Sequence, residues 1–300
     1  MVKARTWRRG KTTEDVMVDI VIVAVLAFVV VSCLYPFYLS VILSFNEGLD
    51  AQRGGIYLWV RKFTLSNYAS LLKDSAWLMA FGVTVARTAI GTALTVAFTM
   101  LVSYGLSHRE LMFRKAYFGF FIFAMYFSGG VIPYYILLRS LHLLNTFWVY
   151  VIPGCLSLFY ILVATSFFEG IPAELGESAK LDGAGEGTIF LRIILPLSKP
   201  LMATIAIFTS VAHWNSWYET AFFTSNKALR TVAYQMITVI NKTNTANMGN
   251  DAAMAAGAVS TTSLSIQLAA MVIAVLPILC VYPFFQQYFV TGLTVGAVKS

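Results

Sequence analysis

The most specific chemical pattern in this sequence is a set of nine residues within residues 169–199, a segment that separates two apolar stretches. The set places an anchoring carboxylate ahead of small side chains, a glycine and a hydrophobic end: Glu177, Ser178, Ala179, Asp182, Gly183, Ala184, Ile193, Leu195 and Pro196. A carboxylate forms charge-assisted contacts with basic groups, small side chains allow close helix approach, and glycine permits a bend. A short helix that docks into a cleft on another protein needs these three properties.

The segment that carries the set predicts two short helices joined by a tight turn. Pro172 suits the first position of a helix, and residues 173–181 contain good helix formers. Residues 182–185, with two glycines, break that helix. Residues 186–195 then place apolar side chains on one face, and Pro196 restricts the backbone around it. The expected result is a helix-turn-helix.

The rest of the chain is unusually apolar. Of its 300 residues, 58% are hydrophobic and 12% are charged, whereas an ordinary soluble domain has roughly 45–50% apolar and 25% charged residues. This excess excludes a water-soluble globular protein and favours membrane-spanning helices. The basic residues behind the net charge of +7 flank apolar runs in short clusters, which indicates membrane orientation and no nucleic-acid partner.

Intervals without charged residues predict an all-α, polytopic membrane protein with six transmembrane helices. The expected spans are about 17–45, 76–107, 116–138, 147–168, 200–223 and 264–288. A basic N-terminal tail, residues 1–15, precedes a single transmembrane domain, residues 16–300. Segment 169–199 therefore connects the fourth span to the fifth.

The distribution of Lys and Arg orients these spans. With the N-terminus inside, the inner segments hold twelve Lys and Arg and the outer loops hold eight. Positively charged segments stay in the cytoplasm. Both termini and segment 169–199 are therefore expected in the cytoplasm.

The set of nine residues resembles the EAA loop of permease subunits from ATP-binding-cassette (ABC) importers. The family pattern is Glu-Ala-Ala, three residues, Gly, nine residues and Ile-x-Leu-Pro, and the spacing here agrees at every step. Ser178 replaces the first Ala and keeps a small side chain. Further similar motifs lie at residues 64–68, 103–107, 127–133, 145–146, 213–217 and 288–299. Together they resemble the carbohydrate-uptake branch, similar to maltose-type inner-membrane subunits and most like the complex-oligosaccharide subgroup.

This resemblance implies the type I importer permease fold, with segment 169–199 as the cytoplasmic coupling loop. It implies ATP-driven import of oligosaccharides or other complex sugars across the bacterial inner membrane by alternating access. ATP and Mg²⁺ would be bound by two partner ATPase subunits. This chain has no expected cofactor site, because Gly10-Lys11-Thr12 lacks the earlier glycine of a phosphate-binding loop and has Arg5 there. The other implied partners are a second homologous permease subunit, an extracytoplasmic sugar-binding protein and the lipid bilayer.

Six polar or aromatic residues inside predicted spans are candidates for the path of the sugar. They are Arg87, Trp214, Asn215, Trp217, Tyr218 and Glu219. Such groups are expensive in lipid and usually face a cavity or a partner helix. In a continuous fifth span, Trp214, Trp217 and Tyr218 share one face with Ala221, while Asn215 and Glu219 lie on an adjacent face. Pyranose rings match aromatic faces and polar acceptors, but helix packing and an interfacial aromatic belt are alternatives.

Arg87 is the only basic residue well inside a predicted span, so it needs a carboxylate, carbonyl groups or water. It could contact an acidic sugar chain. The alternative is a structural partner, either Glu219 or a group on the second permease subunit.

The outer segment, residues 224–262, contains apolar residues at helical spacing, namely Leu229, Val232, Met236 and Val239. This spacing predicts an amphipathic helix. Docking of the sugar-binding protein, packing against the spans and a simple surface helix are the alternatives for its role.

Enzymatic activity is not expected of this chain. No catalytic nucleophile with a base and no metal-ligand spacing is present in the sequence, so neither catalytic nor metal-binding residues are assigned. A secondary transporter or a channel for small solutes is the alternative function. That alternative would need coupling carboxylates or broken helices in mid-membrane, and deep acidic residues are nearly absent.

Overall fold

The computed structural model describes residues 13–247, 262 and 264–280, and this part of the chain is helical without a β-strand. The N-terminal residues 1–12 and the C-terminal motifs at 288–299 lie outside it. The helices are α1 Thr13–Ser44, α2 Gly48–Gln52, α3 Ser66–Lys73, α4 Ser75–Ser107, α5 Arg114–Tyr126, α6 Val131–Ser140, α7 Leu158–Glu169, α8 Glu174–Leu181, α9 Glu186–Ile189, α10 Leu195–Leu197, α11 Lys199–Asn215, α12 Tyr218–Phe223, α13 Val232–Asn247 and α14 Leu264–Cys280.

Two of the described helices are long and apolar enough to cross a membrane alone, Glu14–Ser44 and Ser75–Ser107. Three further helix pairs are long and apolar enough only when each pair is taken together, and each is bent: Arg114–Tyr126 with Val131–Ser140 at 116°, Leu158–Glu169 with Glu174–Leu181 at 72°, and Glu186–Leu197 with Lys199–Asn215 at 75°. The described residues thus contain between two and five spans by length and composition. The count of six stays a prediction, and residues 281–288 of the expected last span lie outside the described residues.

The third expected span, 116–138, is not one continuous helix. Helix α5 ends at Tyr126, and α6 begins at Val131. Gly130 between them has φ +82°, a conformation that glycine adopts without strain, and Pro133 lies in the first turn of α6. The bend therefore has a local cause in the chain.

The fourth and fifth expected spans are also interrupted. Within 147–168 there is a 3-10 turn, Phe147–Tyr150, and helix α7 begins only at Leu158, after Pro153 and Gly154. Within 200–223 helix α11 ends at Asn215, and the backbone of Ser216 is extended. The expectation of a continuous fifth helix is therefore wrong.

The described residues divide into two compact units, one with residues 13–69, 262 and 264–272, the other with residues 70–247 and 273–280. In the second unit, α4, α7 and α11 pack together. A small polar side chain joins α4 to α7. Ser103 Oγ donates a hydrogen bond to the carbonyl oxygen of Ile161 at 3.0 Å. Small residues at such interfaces allow close approach of helices in lipid.

Gly91 on α4 lies directly against His213 on α11. A Cβ atom at position 91 would lie 2.5 Å from His213 Nε2, closer than any ordinary contact. Gly82 on the same helix has open space where its Cβ would be. The close approach of α4 and α11 therefore depends on a glycine at position 91.

We expect G91A to destabilise the protein by about 1–3 kcal/mol, the usual cost of overpacking. G82A is the matched control on the same helix, and we expect it to leave stability unchanged or slightly higher. Thermal unfolding of the purified variants in one detergent measures both. Equal unfolding temperatures for G91A and G82A would show that the helices can move apart at no cost.

Candidate functional site

The residues that resemble the EAA loop form a bent helix pair, defined here as Glu174–Leu197. Its first helix, α8, ends at Leu181, and the turn after it includes Gly183 with φ +81°. Backbone hydrogen bonds close this turn, from Ala184 N to Ala179 O at 2.9 Å and from Gly183 N to Lys180 O at 3.0 Å. A residue with a Cβ is strained at this φ, so the turn specifically needs glycine.

One side of the bent helix pair is open. Glu177, Ser178, Asp182 and Gly183 are exposed, and the side chain of Leu181 is 90% exposed. A large apolar side chain beside carboxylates and a bare glycine is a surface that can receive another protein. The described residues leave this side uncovered.

The opposite side is packed into the membrane helices. Ala179, Ile189 and Ile194 are buried in a hydrophobic cluster with residues from three helices around them: Met100 of α4, Ala164 and Phe168 of α7, and Leu201 and Ile205 of α11. Ala184, Ile193 and Leu195 pack partly buried against the same cluster. A displacement of the open side would therefore be passed to α4, α7 and α11 together, because close-packed groups transmit strain.

Pro196 lies inside the second helix of the pair and does not end it. The preceding residues, Phe190–Ile194, form a π turn, and the helix continues to Leu197. A π turn leaves room for the proline ring, which would otherwise clash with the carbonyl four residues earlier. The sharp bend comes later, between Leu197 and Lys199.

Glu186 ties the bent helix pair to the end of α4, and the sequence patterns did not single it out. Its carboxylate accepts hydrogen bonds from Tyr104 Oη at 2.6 Å and from Lys180 Nζ at 2.6 Å, and His108 Nε2 lies 3.5 Å away. The hydrogen bond from Lys180, followed by that from Tyr104, lowers the pKa of the Glu186 carboxyl to about 2. Glu186 is therefore ionised throughout the physiological range. In the sequence, the only indication of this contact was Tyr104, which lies in the family-like motif at residues 103–107.

The six expected sugar-path residues differ in burial: Arg87 and Trp214 are buried, whereas Asn215, Trp217, Tyr218 and Glu219 are exposed or partly exposed. Trp214 is 8% exposed, its Nε1 donates to the carbonyl oxygen of Ala274 at 2.9 Å, and its ring meets the edge of Phe81. Trp214 therefore packs between helices. Asn215 and Trp217 are exposed, the latter by 42%. The shared helical face expected for Trp214, Trp217 and Tyr218 is not present.

Arg87 is buried and binds the backbone and a side chain at the interruption of span five. Its side chain is 1% exposed, and it donates hydrogen bonds to Glu219 Oε2 at 2.7 Å and to the carbonyl oxygen of Ser216 at 3.1 Å. Its guanidinium also lies 4.9 Å from the centre of the Tyr150 ring. The structural alternative with Glu219 is therefore confirmed, and Arg87 offers no free surface to an acidic sugar.

An aromatic cluster surrounds the exposed end of this site, and four of its six rings were not singled out from the sequence, namely Tyr134, Tyr135, Phe222 and Phe223. Tyr218 lies 4.8 Å from Phe222 and 5.7 Å from Phe223, and Phe223 lies 5.5 Å from Tyr134, measured between ring centres. The partly exposed members are Tyr134, Tyr135, Trp217, Tyr218 and Phe222. The adjacent tyrosines after Pro133 were the available signal. Exposed rings of this kind can stack on the apolar faces of sugars.

A groove of about 900 Å³ runs between α4, α11 and the bent helix pair. Its lining is almost entirely apolar and includes Val96, Met100, Phe190 and Met202. Its hydroxyl side chains, on Thr88, Thr92 and Ser210, are too few for the many hydroxyl groups of a sugar, so its chemistry matches an apolar helix or an acyl chain.

The outer segment does contain the expected helix, α13. The side chain of Val232 is buried, and its backbone nitrogen donates to Thr84 Oγ1 at 2.9 Å. The first turns of α13 therefore pack on α4. Residues 248–261 lie outside the described residues.

Comparisons with known proteins agree with the resemblance, although no family model matches the sequence. The chain is 36% identical to protein LplC of Bacillus subtilis (strain 168) over 270 residues, which cover 88% of this chain and 89% of LplC. It is 33% identical over 282 residues to the polygalacturonan/rhamnogalacturonan transport system permease protein YtcP of the same strain, covering 94% and 98% of the two chains.

A solved structure has the same fold over nearly the whole chain. It is a chain of a bacterial ABC transporter involved in the import of the acidic polysaccharide alginate, with a TM-score of 0.84, 25% identity and coverage of 93% of this chain and 98% of that one. The interrupted helices of this chain therefore belong to a fold that is known in such transporters.

Proposed function

Because this chain belongs to the permease subunits of ABC sugar importers, we propose that it is the transmembrane subunit of an ATP-driven importer for oligosaccharides or other complex sugars. Transport would proceed by alternating access across the bacterial inner membrane. The alternative is a secondary transporter or channel, which would also need interrupted helices. Such helices do not favour that alternative here, because an ABC transporter has the same fold.

The observation that carries this proposal is the two-sided bent helix pair. Its open side has Glu177 and Gly183 for a docking partner, and its packed side is continuous with α4, α7 and α11. We assign the open side to one of two separate ATPase subunits, which would bind ATP and Mg²⁺. Ser178 and Asp182 would line the contact, while Ala179, Ala184, Ile193, Leu195 and Pro196 would hold the pair in place. Nucleotide-driven movement would then reach three helices at once.

We expect E177Q to weaken the association with the ATPase subunits. Loss of one charge-assisted contact costs about 1.5–3 kcal/mol, which corresponds to roughly ten- to hundredfold weaker binding. E174Q is the matched control, because Glu174 is also an exposed carboxylate in the first turn of α8. Recovery of ATPase with the tagged permease measures the effect. Equal recovery for both variants would remove Glu177 from the docking surface.

For the sugar path we propose Asn215, Trp217, Tyr218 and Glu219, extended by Tyr134 and Tyr135. These residues combine exposed or partly exposed rings with an amide and a carboxylate, as the hydroxyl edges and apolar faces of a sugar require. Trp214 and Arg87 are assigned to packing and positioning instead. Two of the similar proteins are named for the transport of acidic polymers, polygalacturonan and alginate. In this chain Arg87 is buried and paired with Glu219, so it is not available to bind an acidic sugar.

A panel of labelled oligosaccharides tests the substrate class. Galacturonan, alginate and neutral arabinose or raffinose oligomers would be offered to cells that carry the complete transporter. We expect uptake of at least one oligosaccharide and none of free monosaccharides. Uptake of monosaccharides alone would contradict the proposal.

The remaining partners and the orientation follow from the same proposal. A second homologous permease subunit would complete the pore, and an extracytoplasmic sugar-binding protein would deliver the cargo. Both termini and the bent helix pair would lie in the cytoplasm, as the Lys and Arg distribution predicts.

A further inference from the structure

The loop after α2 exposes a dense group of large apolar side chains. We call residues 54–63 the aromatic loop. Tyr57, Leu58 and Trp59 form its tip and are largely exposed, Trp59 by 81%. Gly54 and Gly55, both with φ +75°, turn the chain into the loop. Exposed neighbours of this size need a cover or an apolar solvent.

Two tyrosines of α1 hold the tip of the aromatic loop. Tyr38 Oη donates to the carbonyl oxygen of Leu58 at 2.7 Å, and Tyr35 Oη lies 3.4 Å from the carbonyl oxygen of Tyr57, which accepts its hydrogen bond. Irregular backbone is tolerated near lipid only when its polar groups are paired. The two hydroxyl groups pair the carbonyl groups of Tyr57 and Leu58 at the tip.

The base of the loop is fixed separately and is polar. Asn46 Oδ1 accepts hydrogen bonds from the backbone nitrogens of Arg61 and Lys62 at 3.0 and 2.8 Å. The Arg61 side chain donates to the carbonyl oxygen of Gly54 at 2.7 Å and lies 3.4 Å from Asp50. The loop therefore has an apolar tip and a charged base, each held in place.

The tyrosine contacts also give the depth of the tip. Asp19 is the last charged residue before the apolar run of α1. A hydrocarbon core of about 30 Å takes about 20 helical residues at 1.5 Å each, so it ends near residue 39. Tyr35 and Tyr38 then lie within roughly 8 Å of the far edge of the core, inside it. Residues 57 and 58 are bonded to them and share that depth.

We propose that the aromatic loop is a lipid-interface anchor, with Tyr57, Leu58 and Trp59 inserted at the edge of the hydrocarbon core. Tyr and Trp favour this region because one end of each side chain is apolar and the other is polar. The charged base, with Arg61 and Lys62, lies at the level of the phospholipid head groups. The anchor fixes the depth of the end of α1 that is far from the N-terminus.

Nitroxide labels at defined positions measure this depth. In a background with Cys33, Cys155 and Cys280 replaced, W59C and the control R53C would be labelled in the complete transporter, reconstituted in phosphatidylethanolamine and phosphatidylglycerol vesicles. Collisions with oxygen report lipid, and collisions with a water-soluble nickel complex report water. We expect the oxygen-to-nickel ratio to be severalfold higher at position 59 than at position 53. L58C provides a second reading if W59C does not assemble.

A Y38F variant of the labelled protein tests the tether. Loss of the hydroxyl group should lower the oxygen-to-nickel ratio at position 59. A label at 59 that meets more nickel complex than the label at 53 would place the loop in water. Protection of position 59 from both reagents would show a protein partner on it. Either result would overturn the lipid anchor.

Discussion

Replacing Gly183 by valine is expected to reduce sugar uptake by more than tenfold while the protein remains in the membrane. Gly183 has φ +81°, and a side chain in this conformation costs about 1–2 kcal/mol, more for a β-branched residue. The turn would then change shape, and α8 would present its open side at another angle. Transport depends on this angle, since the bent helix pair is the proposed contact with the ATPase subunits. Uptake of a labelled sugar by cells measures transport, and immunoblots of membrane fractions measure how much of the variant remains in the membrane.

Two further substitutions separate backbone conformation from side-chain bulk at this turn. A Cβ at position 183 would meet no atom within 4 Å, so the cost of a small side chain is conformational. Asn adopts positive φ more readily than Ala. If conformation matters, G183N will transport better than G183A; if the partner needs a bare surface, the order will reverse. Normal uptake by G183V would remove Gly183 from the coupling account.

Loss of Arg87 is expected to cost R87M about 3 kcal/mol of stability, the lower end of the range for breaking a buried ion pair, because the guanidinium is buried while the Glu219 side chain is 28% exposed. Arg87 is 1% exposed and bonds both Glu219 and the carbonyl oxygen of Ser216. Without it the interruption before α12 loses its support, and Trp217 and Tyr218 lose their positions. We therefore expect R87M to be defective in uptake as well.

The double variant R87M/E219M is the informative comparison. Replacing both members of a buried pair by apolar side chains is often close to neutral. We expect the double variant to unfold at a higher temperature than R87M, yet to transport poorly, since the Ser216 carbonyl is still unpaired. A single variant R87M with the unfolding temperature of the unmodified protein would show that the pair contributes nothing to the fold.

The turn of the bent helix pair could be predicted from the sequence because its causes are local. Asp182, Gly183, Ala184 and Gly185 come after a run of good helix formers, and α8 ends at Leu181. The chemistry of the turn lies within those four residues. From the sequence, Ala179 was grouped with the docking residues, whereas its side chain is buried on the packed side of α8.

The interruption of span five could not be predicted, because its cause lies far away in the chain. Residues 213–218 contain neither Gly nor Pro. The freed carbonyl of Ser216 is paired by Arg87, 129 positions earlier, and Ser216 Oγ donates to Glu219 at 2.6 Å. From the sequence, only the pairing of Arg87 with Glu219 could be expected, because an arginine inside a span needs a carboxylate or another polar partner. The tertiary contact decides the helix end.

The interruption of span three has a different explanation. Ser128, Gly129 and Gly130 are visible in the sequence, but they carry no charge. Spans counted by charge-free intervals do not register a turn of this kind. Backbone chemistry must therefore be considered together with hydropathy, since an apolar stretch of spanning length can contain a bend of 116°.

Uptake by reconstituted vesicles is the most direct test that transport by this chain depends on a separate ATPase. Vesicles with the complete transporter and its sugar-binding protein would receive a labelled oligosaccharide, with either ATP or a non-hydrolysable analogue on the ATPase side. A third preparation would contain both permease subunits without the ATPase subunits. We expect uptake only in the first preparation. Accumulation of the oligosaccharide in the third would contradict the account.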